Sequence, residues 1–244
     1  MRRILITGGT SGIGRAVADR LALTDKVWIL GSSEQSVEAV PEPDRFAGVR
    51  ACNVADEAAA VTAVNSAAEA MGGIDSVFVN AGIDGEGKSA AELSLEHFRQ
   101  VLAVNVLGAF TVARTALAIL SRPGTILFNA SVNAIKPEVD FLDYNASKAA
   151  VVSMAKSMAL EVSGDHVTVL ALCPGYFPTR MTEGYMNDPG VREKLLRQIP
   201  AGRFGELEEA AATVDFLLSP AARFMNGGVV TLDGGTYLAG PVSS

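Results

Sequence analysis

Tyr144 and Lys148 stand four residues apart in Tyr144-Asn-Ala-Ser-Lys148, and Ser131 lies thirteen positions before the tyrosine. On a helix, positions i and i+4 project from one face, one above the other. The spacing therefore sets a phenol next to an ammonium group. A nearby positive charge favours phenolate over phenol, which suits the tyrosine to acid/base work near neutral pH. Ser131 closes the apolar run Thr125-Ile-Leu-Phe-Asn-Ala130, which reads as a buried strand. Open α/β sheets collect their ligands at the carboxyl ends of such strands. An isolated Tyr-x-x-x-Lys pair is more often a solvated helix face. The other end of the chain removes most of that alternative.

There, Arg3-Ile-Leu-Ile-Thr-Gly-Gly-Thr-Ser-Gly-Ile-Gly14 takes a short apolar strand into a Gly-rich turn, and an amphipathic helix follows. Gly8, Gly12 and Gly14 allow a tight turn with no Cβ in the way. The backbone can then approach a pyrophosphate, which rests on the free N–H groups and positive dipole end of the helix. The spacing is Gly-x-x-x-Gly-x-Gly, not the Gly-x-Gly-x-x-Gly of the general dinucleotide fingerprint. Such a turn alone is weak evidence of a nucleotide site. Joined to the Ser…Tyr-x-x-x-Lys set it is strong.

These residues resemble the short-chain dehydrogenases/reductases, and the resemblance spans nearly the whole chain. Thr7-Gly-Gly-Thr-Ser-Gly-Ile-Gly14 is similar to the family's cofactor turn, Asn80-Ala-Gly82 to its strand-end motif, and Asn105 stands where the family keeps a catalytic Asn. Ser131, Tyr144 and Lys148 complete that tetrad. Pro174-Gly175 with Thr179 is similar to the nicotinamide-side motif, and Leu232-Asp-Gly-Gly235 to the C-terminal one. The resemblance implies an α/β fold with a single doubly wound, Rossmann-type parallel sheet and helices on both faces. It also implies hydride transfer between a nicotinamide dinucleotide and a ketone or secondary alcohol. In that chemistry Tyr144 supplies the proton and Ser131 bonds the substrate oxygen. Lys148 lowers the tyrosine pKa and bonds the nicotinamide ribose, and Asn105 holds a water linking Lys148 to solvent. An Asn inside a helix can instead bond nearby backbone. Gly8, Thr10, Ser11, Gly12, Ile13, Gly14, Ser32, Ser33, Asn53 and Val54 are the expected contacts of the adenosine half. Asn80, Ala81, Gly82, Pro174, Gly175 and Thr179 join Tyr144 and Lys148 as those of the other half. For Asn80 a strand-end cap, and for Thr179 a plain turn, are the structural alternatives.

At 244 residues the chain fits one domain, read as residues 1–244. A domain of this size buries about three quarters of its unfolded surface. Its longest apolar runs look too short to cross a bilayer, and a strand begins after only Met1-Arg-Arg3, so no signal peptide is expected. Two lone cysteines, Cys52 and Cys173, make no disulfide framework and suggest a reducing, cytoplasmic setting. His97 and His166 offer no metal-site spacing. A net charge of −7 argues against nucleic acid or an anionic membrane as the main partner.

Short apolar strands alternate with helical segments, the pattern of βαβ units. Strands are expected near 3–7, 26–30, 47–51, 74–79, 124–130, 166–172 and 228–232. Helices are expected near 12–23, 56–71, 95–120, 143–163 and 206–218, with Asp56 and Gly72-Gly73 bounding the second. Pro178, Pro189, Gly190, Pro200 and Gly202 break up 176–205, which the resemblance makes a substrate lid. The helices near 95–120 and 143–163 are expected, again by resemblance, to pair with a second subunit. Ala109, Ala113, Val151, Met154 and Met158 would face that partner, and the strand at 229–232 would make a second contact, giving a homotetramer or, without it, a homodimer. Those side chains could equally face the chain's own sheet.

NAD enzymes place an acid at the end of the second strand, but this one ends Val27-Trp-Ile-Leu-Gly31-Ser-Ser-Glu34, with Gly31 at the acid's place. Ser32 and Ser33 can donate to a 2′-phosphate, and Arg15, Arg2 or Arg3 could add charge. NADP(H) is therefore favoured over NAD(H), and an acid introduced at Gly31 is expected to shift that preference. At Asn53, where the family commonly has Asp, the side-chain carbonyl can still accept from the adenine amino group. Substrate is less legible. Val132-Asn-Ala-Ile-Lys-Pro-Glu-Val-Asp-Phe-Leu-Asp143 lines the pocket in relatives, and Lys136, Glu138, Asp140 and Asp143 either charge that pocket or face water. Tyr176, Phe177, Met181, Tyr185 and Met186 offer adaptable lid contacts or a local mini-core. The expected activity is a ketoreductase acting on a small molecule, in biosynthesis. A 3-oxoacyl-[acyl-carrier-protein] reductase is the first alternative, although the Gly164-Asp165 turn is acidic where carrier reductases often place a base. A non-catalytic, dinucleotide-sensing protein on the same fold is the second.

Overall fold

Along the first strand Ile4 and Ile6 point to one side and Leu5 to the other, and all three are fully buried. Apolar residues on both faces of a strand require cover on both faces of the sheet. In the computed structural model, which describes residues 1–239, that is what the chain builds. In order it forms β1 (Arg3–Thr7), α1 (Gly12–Leu21), β2 (Lys26–Gly31), α2 (Glu34–Glu38), β3 (Gly48–Ala51), α3 (Glu57–Met71) and β4 (Ile74–Val79). The second half runs α4 (Leu95–Leu102), α5 (Ala109–Ile119), β5 (Leu120–Asn129), α6 (Leu142–Glu161) and β6 (Val167–Pro174). It ends with α7 (Glu183–Asn187), α8 (Pro189–Gln198), α9 (Leu207–Leu217) and β7 (Val229–Leu232). The sheet order is β3-β2-β1-β4-β5-β6-β7, with every pair parallel. This is the expected doubly wound sheet, and its direction reverses between β1 and β4.

One core layer packs α3, α5 and α6 on Leu5, Val77, Ile126 and Val169; the other packs α1 and α9 on Ile4, Ile29, Leu127 and Leu170. Each such aliphatic side chain contributes about 1.5–3 kcal/mol by leaving water. Helix ends follow local chemistry. Asp56 accepts from Ala59 N at 3.0 Å to start α3, and Gly72, at φ 77°, ends it in the left-handed region.

Three expectations change. Residues 95–119 form one continuous helical rod, but between α4 and α5 the turn Ala103–Gly108 widens to π-helical geometry. No residue type signals that widening in advance. The rod is 25 residues long with mean hydropathy 1.7 in its most apolar window, so by length and composition it could cross a membrane, contrary to the sequence-based expectation. Its inner face, including Val101, Val112 and Ala116, is fully buried in the chain's own fold. Ala109, Ala113, Val151 and Met158 are buried against the same core and Met154 packs on it, so they do not form the outer surface expected of them. Leu107 and Phe110 face outward instead. Within 176–205, Pro189 and Gly190 start a helix rather than break one. Asp188 caps α8 by accepting from Gly190 N and Val191 N, and proline suits the first helical position.

Candidate active site

The site forms at the carboxyl ends of the strands, over the point where the sheet order reverses. The Thr7 hydroxyl, ending β1, accepts from both Asn80 N and Ala81 N at 2.9 Å. Asn80 Nδ2 donates back to Thr7 O and Gly8 O, and Asn80 Oδ1 accepts from Asn129 Nδ2 at 2.8 Å. Asn80 thus stitches β1, β4 and β5 together, the strand-end role weighed for it. The turn above fits closely. A Cβ on Gly14 would overlap the Gly8 carbonyl and stand 2.5 Å from Asn80 Nδ2, and Gly8 itself has φ 64°. Ser11 precedes α1 without a side-chain cap, and no acid occupies the first turn. The leading N–H groups of α1 are therefore left for an anion.

Across the cleft, α6 presents Tyr144 and Lys148. Lys148 is buried, its Nζ donates to Asn129 O at 2.9 Å, and it lies 5.5 Å from the Tyr144 ring centroid. Burial lowers its pKa from 10.5 to about 8. Burial also pushes the Tyr144 phenol up, reinforced by the charge of Asp84 and opposed by a hydrogen bond from Ser131. The expected lowering of the phenol by Lys148 is not found: Lys148 is not among the groups that shift it, and desolvation favours the neutral phenol. A neutral phenol is a proton donor. Ser131 is buried, with its hydroxyl accepting from Asn133 N at 3.2 Å. Asn105 sits in the widened helical turn, one layer behind the cleft wall. Its Oδ1 accepts from Ile83 N at 2.8 Å, while Nδ2 donates to Ile83 O and Ser147 Oγ, both at 3.0 Å. Both amide protons are thus engaged, and Asn105 ties Ile83, just after the Asn80–Gly82 segment, to α6.

A cleft of about 710 Å³ joins the two halves. Gly8, Thr10, Ser11, Gly12, Ile13, Gly14, Ser32, Asn53 and Val54 line one side of it, and Asn80, Ala81, Gly82, Pro174, Gly175 and Thr179 line the other. Ser33 does not line it: its hydroxyl caps α2 by accepting from Ser36 N. Asn53 Oδ1 already accepts from Ala55 N, and Thr179 N donates to the Thr182 hydroxyl, so each also serves its own turn.

The arginines resolve differently from expectation. Arg2 and Arg3 pair with Asp25, Asp75 and Asp215 at the opposite edge of the sheet, and Arg15 pairs with Asp19. Arg180, not anticipated, lines the cleft and donates to the Ser11 hydroxyl at 3.3 Å. It directly follows Thr179, so extending that motif by one residue would have found it. Asp84 was missed as well, two residues beyond Asn80-Ala-Gly82. Of the charged residues before Tyr144, Lys136 donates to Thr236 O and Ala239 O, Asp140 is exposed, and Asp143 is buried, accepting from Glu86 N and Tyr144 N. The position of Gly31 leaves no room for an acid. A Cβ there would lie 2.5 Å from Ser36 Oγ and 2.7 Å from the Thr10 methyl.

Residues 8–237 match the family described as enoyl-(acyl carrier protein) reductase. The chain is 36% identical over 242 residues to the 3-oxoacyl-[acyl-carrier-protein] reductase FabG of Aquifex aeolicus, covering 96% of each. It is 33% identical over 236 residues to the meso-2,3-butanediol dehydrogenase of Serratia marcescens, covering 95% of this chain and 93% of that one. A crystal structure of levodione reductase superposes with a TM-score of 0.91 at 33% identity, over 98% of both chains. On these similarities, over nearly the whole chain, the protein belongs to the short-chain dehydrogenases/reductases, as an NAD(P)-dependent oxidoreductase.

Proposed function

We propose that the chain reduces a small ketone to a secondary alcohol, and runs the reverse reaction, with Tyr144 as the acid/base. The observation that carries this reading is the Tyr144 phenol and the Ser131 hydroxyl in the same cleft as the glycine turn. When bound, the nicotinamide dinucleotide supplies or accepts the hydride. As hydride adds, negative charge grows on the substrate oxygen; Ser131 donates to that oxygen and Tyr144 transfers its proton there. Lys148 holds positive charge beside the phenol and would donate hydrogen bonds to the ribose hydroxyls, and Asn105 positions α6 against Ile83, which follows the Asn80–Gly82 motif. Arg180 supplies a cation over Ser11 for the pyrophosphate. Residues 176–205, with α7 and α8, act as the substrate lid. Buried, unpaired Cys52 and Cys173 fit a reducing, cytoplasmic setting. A panel of ketones and alcohols, run with NADPH and NADH in parallel, tests the reading; no turnover with either coenzyme overturns it.

NADPH is the favoured coenzyme. No carboxylate ends β2 to repel a 2′-phosphate, and the exposed Ser32 hydroxyl at the cleft edge can donate to one. NADPH should give the higher kcat/KM. Because Gly31 is hemmed in by Ser36 and Thr10, Ser32→Asp is the variant to move the preference, toward NADH by about tenfold or more. Equal or better efficiency with NADH in the unaltered chain refutes this choice. A carrier-bound 3-oxoacyl substrate is the second reading, favoured by the similarity to 3-oxoacyl-[acyl-carrier-protein] reductase.

The active unit is a two-fold-symmetric homotetramer. Exposed Leu107 and Phe110 on the 95–119 rod offer one apolar contact, and β7, at the sheet edge, offers another. Sedimentation at micromolar protein should find a tetramer. A fully active monomer excludes the assembly, while a dimer removes only the β7 contact.

A further inference from the structure

Tyr144 sits in the first turn of α6, where a helix is held least by its own bonds because the leading N–H groups have no intrahelical carbonyl. A side-chain cap commonly fixes such a turn, but Phe141, which precedes α6, supplies none. Asp143 fills that role from inside the turn. Its Oδ1 accepts from Tyr144 N at 2.8 Å, so the backbone of the proton donor is tied to its own neighbour. The other oxygen reaches out of the helix. Asp143 Oδ2 accepts from Glu86 N at 3.1 Å and lies 3.6 Å from His97 Nε2, in the first turn of α4. The same His97 nitrogen stands 3.4 Å from Asp84 O. The start of α6, the loop after Gly82 and the start of α4 thus converge on one fully buried carboxylate.

Packing at this junction is close. A Cβ on Gly85 would stand 2.6 Å from Asp143 Oδ1, 3.0 Å from the Phe141 ring and 3.2 Å from Tyr144 Cβ. Gly85 is not among the glycines in the left-handed region, so what it supplies there is space. Asp143 neither lines the cleft nor reaches water, and so it touches no substrate. A buried carboxylate is costly to hold, and this one is spent on the backbone of the reacting residue. We propose that Asp143 is a positioning residue for the reaction, setting the Tyr144 phenol by locking the first turn of α6 to the 84–86 loop and to α4. This rests on the reading of Tyr144 as the acid/base. A proton donor works only within hydrogen-bond reach of the substrate oxygen, and a displacement of about 1 Å can cost about a hundredfold. Asp143→Asn keeps the shape of the side chain. Whichever way its amide turns, however, the NH2 meets a backbone N–H, of Tyr144 or of Glu86.

The test measures kcat, with NADPH and the ketone of the panel that turns over fastest, and NADP+ affinity by calorimetry. It compares the unaltered chain, Asp143→Asn, Tyr144→Phe and the double variant. Asp143→Asn should lower kcat by about tenfold or more, while NADP+ affinity stays near that of the unaltered chain. In the Tyr144→Phe background the same change should cost less than about twofold, since the group it places is gone. A merely structural role would lower kcat by the same factor in both backgrounds, and that result overturns the proposal. So does a loss of NADP+ affinity as large as the loss of kcat. If Asp143→Asn does not fold, Gly85→Ala, which crowds the same oxygen, takes its place in the cycle with the same outcomes. A large loss in Tyr144→Phe beside an unchanged kcat in Asp143→Asn overturns this proposal alone. Near-full activity in Tyr144→Phe overturns the reading beneath it as well.

Discussion

Tyr144→Phe should lower kcat by about a hundredfold or more, the usual worth of a placed general acid, while dinucleotide affinity stays near that of the unaltered chain. The ring keeps its packing, so the loss isolates the hydroxyl. Burial holds that hydroxyl protonated, and the variant leaves nothing at the same place to donate to a developing alkoxide. Ser131 cannot take over, because its ordinary pKa lies far above that of a phenol and its part is to bond the oxygen, not to surrender a proton. Steady-state turnover with saturating coenzyme, beside coenzyme binding by calorimetry, checks this. Retention of more than about a tenth of the activity removes Tyr144 from the proton-transfer role.

Lys148→Met should abolish turnover to a similar degree and also change how stability depends on pH. The folded-state pKa of Lys148, about 8, lies below its ordinary 10.5. Its charge is therefore a cost to the fold, fully present below pH 8, where folded and unfolded chains both hold the proton. Between pH 8 and 10.5 the unfolded chain binds more protons, so this group's contribution to stability rises with pH. The drop from 10.5 to about 8 corresponds to about 3 kcal/mol. The methionine variant keeps the stem and lacks the charge. The difference in unfolding free energy between the two proteins should thus shrink across that window, as measured by denaturant titrations at pH 7 and 10. A constant difference would mean that the buried ammonium carries no such cost. The variant also leaves Asn129 O without its donor, which offsets part of any gain at neutral pH.

Most of the scaffold was legible because its signals are local. Apolar runs marked β1, β2 and β4, Asp56 and Gly72 marked the ends of α3, and the glycines of the first turn marked themselves. The widened turn at 103–108 was not legible, since π geometry at Asn105 depends on bonds to Ile83 and Ser147 that lie far away in sequence. The faces of α5 and α6 were misassigned for a related reason. Alanines and methionines suit a subunit contact and a sheet contact equally, and only the third dimension decides. Arg15 looked available as a cation until Asp19 was seen to hold it, while Arg180 acquired meaning only when the lid brought it to Ser11. Side-chain charges are visible in a sequence, but their partners are not.

The two rims of the sheet have divided their duties. Arg2 and Arg3, with Asp25, Asp75 and Asp215, fasten the amino-terminal rim, where no residue of the cleft is found. The opposite rim carries the glycine turn, Asn80, Ser131 and the 176–205 segment. Loops on that second rim can be exchanged or lengthened without loosening the fastenings on the first. A graft confined to α7 and α8 would leave Thr179 and Arg180 in place, together with Tyr144 and the glycine turn. Inheritance of that kind makes the chain a chassis, on which substrate choice is a replaceable part and the hydride chemistry is not.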